Sequence, residues 1–227
     1  VNIAAESHVD NSIDGPKEFM KSNVLGTFNL LETCRYMKQE HNKNIRFLQV
    51  STDEVYGSLD LVEPAFTEQH QIQPNSPYSA SKSSADAFVR AYHETYGLDT
   101  VITRCSNNYG PHQHNEKLIP KIIENALRGK PIPIYGDGKQ TRSFCYVSDL
   151  IEGIIRLMGS GLNEPVNIGN PNEMSILDIA KKIIGLTGSK SELTYKDLPV
   201  NDPKVRRPDI SKAKKELGGC RVPGSGR

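Results

Sequence analysis

Apolar residues along the chain alternate between a helical spacing and short continuous runs. The helical spacing predicts helices over 15–41, 76–97, 117–130, 147–158, 175–188 and 210–219. The short runs predict buried strands over 45–52, 99–107 and 165–170, and residues 131–147 combine strand and turn signals. Residues 189–209 are expected to be mostly loop. This alternation indicates an α/β fold with a mainly parallel sheet.

Residue types at the ends of these segments support the helix assignments. Ser76 is a candidate N-cap, Pro77 suits the first helical position, and Gly97 suits the stop of the second helix. Ser148 or Asp149 is expected to cap the fourth helix.

Composition narrows the class of protein without identifying it. The 227 residues carry a net charge of +1, which gives no reason to expect nucleic acid or an anionic membrane as a partner. The apolar runs are too short to span a bilayer. The cysteines follow neither CxxC spacing nor a disulfide framework, so a reducing, cytoplasmic setting is expected and no metal site is predicted. They are Cys34, Cys105, Cys145 and Cys220.

Tyr78 and Lys82 stand four residues apart at the start of the second predicted helix. Residues at this spacing share one helical face. A nearby ammonium stabilises a phenolate, so Lys82 is predicted to lower the pKa of Tyr78 and make it a general base. The alternative is two amphipathic side chains on an exposed helical face.

Polar clusters follow two of the predicted strands. Strand 45–52 ends in Ser51 and Thr52 and is followed by Asp53 and Glu54. Ligands of open α/β sheets bind beyond the carboxyl ends of strands. There, two acids can divide the work if one stays protonated while the other is ionised. The alternative for this stretch is a turn or helix cap.

A second amide-rich cluster follows strand 99–107. Asn107 and Asn108 occupy the same kind of strand-end position as the two acids. Asn-rich and Gly-Pro stretches also make ordinary turns, which is the alternative here. With the Tyr-Lys pair, these clusters predict one site at the carboxyl edge of the sheet.

Several stretches together resemble a known family. They are AAESHVDNSI, NVLGTFNLLE, STDEVYG, SPYSASKSSAD, RCSNNYGPHQHNEKLIP and GKPIPIYGDGKQTR, in this order from residue 4 to 142. The chain resembles the extended short-chain dehydrogenase/reductases that act on nucleotide sugars, and within them the dTDP-glucose 4,6-dehydratase branch. The fold implied is an incomplete Rossmann-like doubly wound parallel sheet with a small C-terminal α/β substrate-binding domain. Residues 1–110 would be the NAD-binding part and 111–227 mostly the substrate domain, with 131–165 returning partly to the first.

The resemblance implies an NAD-dependent internal redox reaction on a nucleotide-diphosphate sugar. Tyr78, assisted by Lys82 and Thr52, would deprotonate the C4 hydroxyl while hydride passes from C4 to NAD. Glu54 would remove the C5 proton, and Asp53 would protonate the departing C6 hydroxyl. Hydride would then return to C6.

The same matching implies binding residues and an oligomeric state. Besides Tyr78 and Lys82, the residues implied at the cofactor are Ala4, Ala5, Ser22, Asn23 and Asn108. Those implied at the sugar or its nucleotide are Glu6, Thr52, Asn107, Lys117, Leu118, Pro133, Tyr135, Arg142 and Asn167. A homodimer through helices 16–38 and 77–96 is also implied.

Two features depart from the family pattern. The chain begins at Val1, without the glycine-rich phosphate turn, so it is expected to be a fragment that binds NAD poorly by itself. The C-terminal third resembles UDP-glucuronate decarboxylases, and Arg207 would suit a C6 carboxylate. Asp53 favours dehydration, because the decarboxylases usually carry serine there. A non-catalytic nucleotide-sugar binding module is the third alternative.

Overall fold

The computed structural model describes residues 1–60, 62–197 and 206–218. The helices are α1 Val9–Asp14, α2 Pro16–Phe19, α3 Gly26–His41, α4 Pro77–Tyr96, α5 Leu118–Leu127, α6 Val147–Met158, α7 Ile176–Thr187 and α8 Ser211–Glu216. The strands are β1 Phe47–Thr52, β2 Thr100–Cys105, β3 Asn107–Tyr109, β4 Ile132–Tyr135, β5 Thr141–Tyr146, β6 Val166–Ile168, β7 Glu173–Ser175 and β8 Leu193–Lys196. A π-helical turn, Met20–Leu25, joins α2 to α3, and a 3₁₀ turn, Asp53–Tyr56, follows β1.

The first sheet has the parallel strand order β1-β2-β6. The backbone of Asn2 lies along the free side of β1, donating to the Leu48 carbonyl at 2.8 Å and accepting from Val50 at 3.1 Å. Helices α3 and α4 pack on one face of this sheet, and α6 and α8 pack on the other. Because both faces are covered, all of β2 and all of β1 except Val50 are buried, including the polar residues Gln49 and Thr103. The α/β prediction with a parallel, doubly wound sheet is confirmed.

A second core is built from α5, α7 and the parallel pair β4-β8. Its centre is a set of isoleucines, namely Ile122, Ile132, Ile134, Ile176, Ile179 and Ile183. The third sheet, β3-β5-β7, lies against both cores: Cys145 of β5 belongs to the first, and the neighbouring Phe144 packs against the second. After residue 111 the chain passes between the two cores more than once. β4 joins the second core, α6 and β6 join the first, α7 joins the second, and α8 returns to the first.

The observed helix caps confirm the prediction for α4 and differ from it for α6. Ser76 caps α4 in a reciprocal capping box with Ser79, and Gly97 ends it with a φ of 62°. Helix α6 differs from the prediction, because its N-cap is Tyr146 and no side chain caps it. Asp149 lies instead inside the first turn, where its negative charge suits the helix dipole.

No helix in the described ranges is long and apolar enough to cross a membrane. Cys34 and Cys105 are buried free thiols, and Cys145 is also buried. The fourth cysteine, Cys220, lies outside the described residues.

Candidate active site

The carboxyl ends of β1 and β2 border a cavity of about 550 Å³. Thr52 and Cys105, the last residues of these strands, are register partners across the parallel pair. Helix α4 begins beside them, so its first turn brings Tyr78 and Ser79 to the same wall. The predicted strand-end clusters therefore meet at one edge of the sheet.

The two acids occupy the 3₁₀ turn that follows β1. The Thr52 hydroxyl caps this turn by accepting from the Glu54 backbone N–H at 3.2 Å. Glu54 lines the cavity, whereas Asp53 is only 2% exposed and lies beneath the surface. The adjacent carboxylates are thus given different surroundings.

Arg206, which lines the cavity, bridges the two acids. Its Nη1 lies 2.9 Å from Glu54 Oε1, and its Nε lies 3.9 Å from Asp53 Oδ1. Its Nη2 donates to Asn107 Oδ1 at 2.9 Å. The guanidinium, 5% exposed, thus joins the clusters that follow β1 and β2.

The environment of Asp53 favours its protonated form. Burial raises the pKa of Asp53 to about 6, against the opposing charge of Arg206 and with a further rise from Glu54. A carboxyl group with a pKa in this range holds its proton near neutrality far better than an ordinary aspartate. The role of Asp53 as the acid of the pair stays a prediction, and its raised pKa is compatible with that role.

The Tyr78–Lys82 pair differs from its prediction. Burial raises the pKa of Tyr78, Glu54 raises it further, and a hydrogen bond with Thr52 opposes the rise. The predicted lowering of the Tyr78 pKa is therefore not observed, and the Lys82 ammonium donates to the Val50 carbonyl at 2.6 Å. Tyr78 is therefore a neutral phenol beside Thr52, with Lys82 placed one helical turn behind it.

The side chain of Asn23 makes its hydrogen bonds within the protein. It lies in the π-helical turn, where its Oδ1 accepts from the Glu6 N–H at 2.9 Å and its Nδ2 donates to the Glu6 carbonyl at 3.0 Å. The same amide donates to Ser81 Oγ at 2.8 Å. Asn23 thus holds the loop after Asn2 against α4, directly beside Lys82.

The other predicted cofactor residues divide into two groups. Asn108 lines the cavity and donates to Cys105 Sγ at 3.4 Å. Ala4, Ala5 and Ser22 do not line it, and Ser22 is exposed.

Three predicted substrate residues from later in the chain reach the cavity. Lys117, Leu118 and Arg142 line its wall. Lys117 donates to the Ser7 carbonyl at 2.8 Å and so connects α5 to the loop that precedes α1. Glu6, Pro133 and Tyr135 lie outside the cavity lining, the last two on β4.

Asn167, predicted to bind substrate, is completely buried and lies outside the cavity lining. Its amide donates to the carbonyls of Phe66 at 2.9 Å and Asp209 at 3.2 Å, and its Oδ1 accepts from the Tyr56 hydroxyl at 2.8 Å. The predicted substrate role of Asn167 is corrected, because these hydrogen bonds engage its side chain inside the protein.

The predicted substrate contact of Arg207 is corrected, because its neighbour Arg206 lies at the cavity instead. Arg207 Nη1 lies 3.1 Å from Glu173 Oε2, and Arg207 is outside the cavity lining. Arg206 lines the cavity instead. The segment is extended and bridges Phe66, so alternate residues Arg206, Pro208 and Ile210 turn inward. That alternation was the signal available in the sequence.

Further cavity-lining residues were not predicted from the sequence. They include Ser7, His8, Asp10, Gly57, Asn75, Gln113 and Glu116. Within the part of the chain that the structure describes, no group of three or more metal-ligating side chains is arranged to hold an ion.

A tyrosine and lysine one turn apart, facing two acids at the carboxyl edge of a parallel sheet, define a Rossmann-like protein of the short-chain dehydrogenase/reductase type. The family model described as GDP-mannose 4,6 dehydratase matches residues 1–218. The chain belongs to this family.

Known relatives narrow the comparison. The chain is 43% identical to dTDP-glucose 4,6-dehydratase of Haemophilus influenzae, over 96% of this chain and 70% of that protein. It is 48% identical to the enzyme of that name from Neisseria meningitidis serogroup B, over 82% of this chain and 54% of that protein. The crystal structure of the dTDP-glucose 4,6-dehydratase DesIV from Streptomyces venezuelae, with NAD bound, superimposes with a TM-score of 0.88 at 40% identity. That match covers 95% of this chain and 66% of DesIV. The chain thus spans between about half and 70% of the length of these proteins.

Proposed function

We propose that this protein is an NAD-dependent nucleotide-sugar 4,6-dehydratase that converts dTDP-glucose to its 4-keto-6-deoxy product. The observation that carries the proposal is the Asp53–Glu54 pair beside Tyr78. Dehydration across C5 and C6 needs a base for the C5 proton and an acid for the C6 hydroxyl. A buried aspartate with a raised pKa next to a cavity-lining glutamate supplies both.

The residues around Tyr78 fit the nicotinamide end of NAD. Lys82 uses one N–H on Val50, and an ammonium has further donors for ribose hydroxyls. Asn108 is a polar group on the same wall, and Ser79 and Ala80 are small enough to allow a close approach. Bound NAD would supply the hydride acceptor for oxidation at C4 and the hydride donor for reduction at C6. No GxGxxG sequence occurs in residues 1–227 to hold its pyrophosphate.

The chain's own residues then have separate tasks. Thr52 hydrogen-bonds Tyr78. To receive the C4 hydroxyl proton as the carbonyl forms, Tyr78 must first become a phenolate, a form that the positive charge of bound oxidised NAD would stabilise. Glu54 takes the C5 proton, and Asp53 gives its proton to the departing C6 hydroxyl, which leaves as water. Glu54 then returns a proton to C5 as hydride reaches C6. Arg206 stabilises the negative charge on the two acids before and after these transfers.

Binding of the nucleotide sugar is assigned to cations and amides around the cavity. Arg142 and Lys117 line the wall beside α5, where a diphosphate would meet positive charge. Asn107 presents its amide next to Arg206 at the sugar end. Pro133 and Tyr135 remain proposed contacts for the base, beyond the cavity itself.

A specific observation favours a second candidate, decarboxylation of UDP-glucuronate. Arg206 lines the cavity beside Glu54, so a C6 carboxylate would meet a buried guanidinium. The same C4 oxidation would then labilise carbon dioxide instead of water. Asp53 argues for dehydration, since decarboxylation does not require a proton donor at C6.

Incubation with each substrate separates the candidates. The protein, expressed at the length its gene encodes, is supplied with NAD and either dTDP-glucose or UDP-glucuronate. We expect a dTDP-sugar product lighter by one water in the mass spectrum. Release of carbon dioxide from UDP-glucuronate instead supports the second candidate. Calorimetric binding of either nucleotide sugar without turnover would overturn both in favour of a binding module.

We also infer a cytoplasmic homodimer. The buried free thiols of Cys34 and Cys105 suit a reducing compartment. Apolar side chains remain exposed on α3 and α4, including Tyr36, Phe88 and Tyr96. Burying them against a second copy would stabilise a dimer through these helices.

A further inference from the structure

A second buried charge cluster lies behind the cavity. Arg104 of β2 donates from Nε to Asp86 Oδ2 of α4 at 3.1 Å, and both side chains are almost wholly buried. Neither residue lines the cavity. The catalytic steps assigned above do not use this ion pair, although β2 and α4, which carry it, also carry site residues.

The cluster extends to the turn that carries the two acids. Arg104 Nη1 donates to the Tyr56 hydroxyl at 3.0 Å, and the guanidinium carbon lies 5.0 Å from the centre of that ring. Tyr56 is the last residue of the 3₁₀ turn that begins with Asp53. Its hydroxyl then donates to Asn167 Oδ1 at 2.8 Å, so α4, β2, this turn and β6 are joined by one chain of contacts.

At its other end the cluster reaches Lys82. Asp86 follows Lys82 by four residues on α4, so both side chains share one helical face. Burial lowers the pKa of Lys82, and the charges that oppose this lowering belong to Asp86 and Cys105. Lys82 has one fixed hydrogen bond, to the Val50 carbonyl, and Asp86 is the carboxylate on its own helical face.

We propose that Asp86 is a positioning residue that keeps the Lys82 ammonium charged and in place, and couples it through Arg104 and Tyr56 to the turn bearing Asp53 and Glu54. Asp86 is ion-paired with Arg104 and lies one helical turn from Lys82, so its negative charge acts on both buried cations. Without this carboxylate, Lys82 and Arg104 would be two positive charges in a desolvated interior, which favours loss of the lysine proton. The catalytic meaning of this coupling rests on the proposed function, but the coupling itself does not.

Titration of the Lys82 amine tests the coupling directly. The protein is labelled with isotopic lysine, the amine resonance is assigned by its disappearance in Lys82→Arg, and its pH dependence is followed by NMR. In Asp86→Asn we expect Lys82 to lose its proton at a pH lower by about one unit or more. In Arg104→Gln, which leaves Asp86 to Lys82 alone, we expect the opposite displacement.

A matched control removes an equivalent ion pair elsewhere on the same strands. Asp99 pairs with Arg46 at the amino ends of β1 and β2, away from Lys82. Asp99→Asn should leave the Lys82 titration unchanged. A purely structural role for Asp86 predicts no displacement in either variant, or displacements in the same direction, and either result overturns the proposal. If Asp86→Asn does not fold, the rise expected in Arg104→Gln decides alone.

An activity measurement keeps the two proposals apart. If the enzyme turns over dTDP-glucose, Asp86→Asn should displace the pH–rate profile in the same direction as the lysine titration, and Asp86→Glu should restore it. If no turnover exists, the NMR displacement is still expected. Failure of the proposed function thus leaves this test intact, and failure of this test leaves the proposed function intact.

Discussion

Asp53 and Arg206 show how single residues set the chemistry of this cavity. Burying a carboxylate costs free energy unless a cation or hydrogen bonds compensate. Arg206 compensates only in part, because its closest contact is with Glu54 and it lies 3.9 Å from Asp53. The part of the burial cost that Arg206 does not offset raises the pKa of Asp53.

The stability of Asp53→Asn should therefore depend on pH in a defined direction. The folded pKa of about 6 lies above the ordinary 3.8, so the wild type loses stability as the pH rises through about 6. Near pH 8 we expect the variant to be more stable by about 2–3 kcal/mol, with the difference vanishing toward pH 4. Urea unfolding across this range measures it.

Asp209→Asn is the control with the opposite sign. Hydrogen bonds from Ser211 lower the pKa of Asp209, so its stabilisation is present at neutral pH and lost as the pH falls. That variant should be less stable than the wild type at pH 7. Equal responses of the two variants would contradict the role given to burial at Asp53.

Activity should separate the two acids in the same variant. In Asp53→Asn, Tyr78 and Glu54 keep their positions, so we expect C4 oxidation and C5 proton exchange to continue while loss of water slows by at least about 100-fold. Deuterium entering recovered dTDP-glucose from heavy water reports the exchange. Equal loss of exchange and dehydration would show that Asp53 does not act at C6 alone.

Sequence reasoning at this scale found side chains whose position depends on a strand end or helix start. Thr52, Glu54, Tyr78 and Asn108 follow directly from such local patterns, and all line the cavity. It chose Arg207 over Arg206 because the choice depends on which side of the segment pairs with Phe66, a contact distant in sequence.

Elements were predictable where their own residues determine them. Helix α4 carries its cap, its proline and its terminal glycine, and its observed bounds differ from the prediction by one residue at each end. The segment 15–41 was predicted as one helix, but a π-helical turn, Met20–Leu25, interrupts it, and Asn23 in this turn bonds to Glu6 and Ser81. Strands β3, β7 and β8 have three or four residues each, too few for a periodic signal.

Two glycines of α7 provide a test of local backbone preference. Gly188 ends the helix with a φ of 62°, whereas Gly185 lies inside it, and an added Cβ would meet nothing within 4 Å at either position. We expect Gly188→Ala to destabilise the protein by about 1 kcal/mol through left-handed strain. Gly185→Ala should stabilise it by about 0.5–1 kcal/mol. Thermal unfolding compares the two, and changes of the same sign would contradict this account.

At the scale of the whole molecule, the cavity exists because the chain crosses between two cores. The acids and Tyr78 stand at the edge of the first sheet, and Lys117 reaches them from α5, beside the second core. The crossings at β5, β6 and α8 depend on contacts far apart in sequence, such as Cys145 with Leu48 in one core. Local patterns predict the elements, but they do not determine which core each later element joins.

The proposed dimer is a property of this same scale, and it can be tested without disturbing the cavity. Phe88 of α4 is 40% exposed and meets Phe28 of α3 at 6.1 Å between ring centroids, so it lies on the seam of both helices. Placing a charge there should separate a dimer that buries this seam, because an unpaired carboxylate is costly in a desolvated interface. We therefore expect Phe88→Glu to halve the mass found by light scattering while retaining the helical circular dichroism. Leu186→Glu on α7, where the side chain is 79% exposed, should leave the mass unchanged. If Phe88→Glu remains dimeric, the two copies meet elsewhere, and α3 and α4 serve only to cover the sheet.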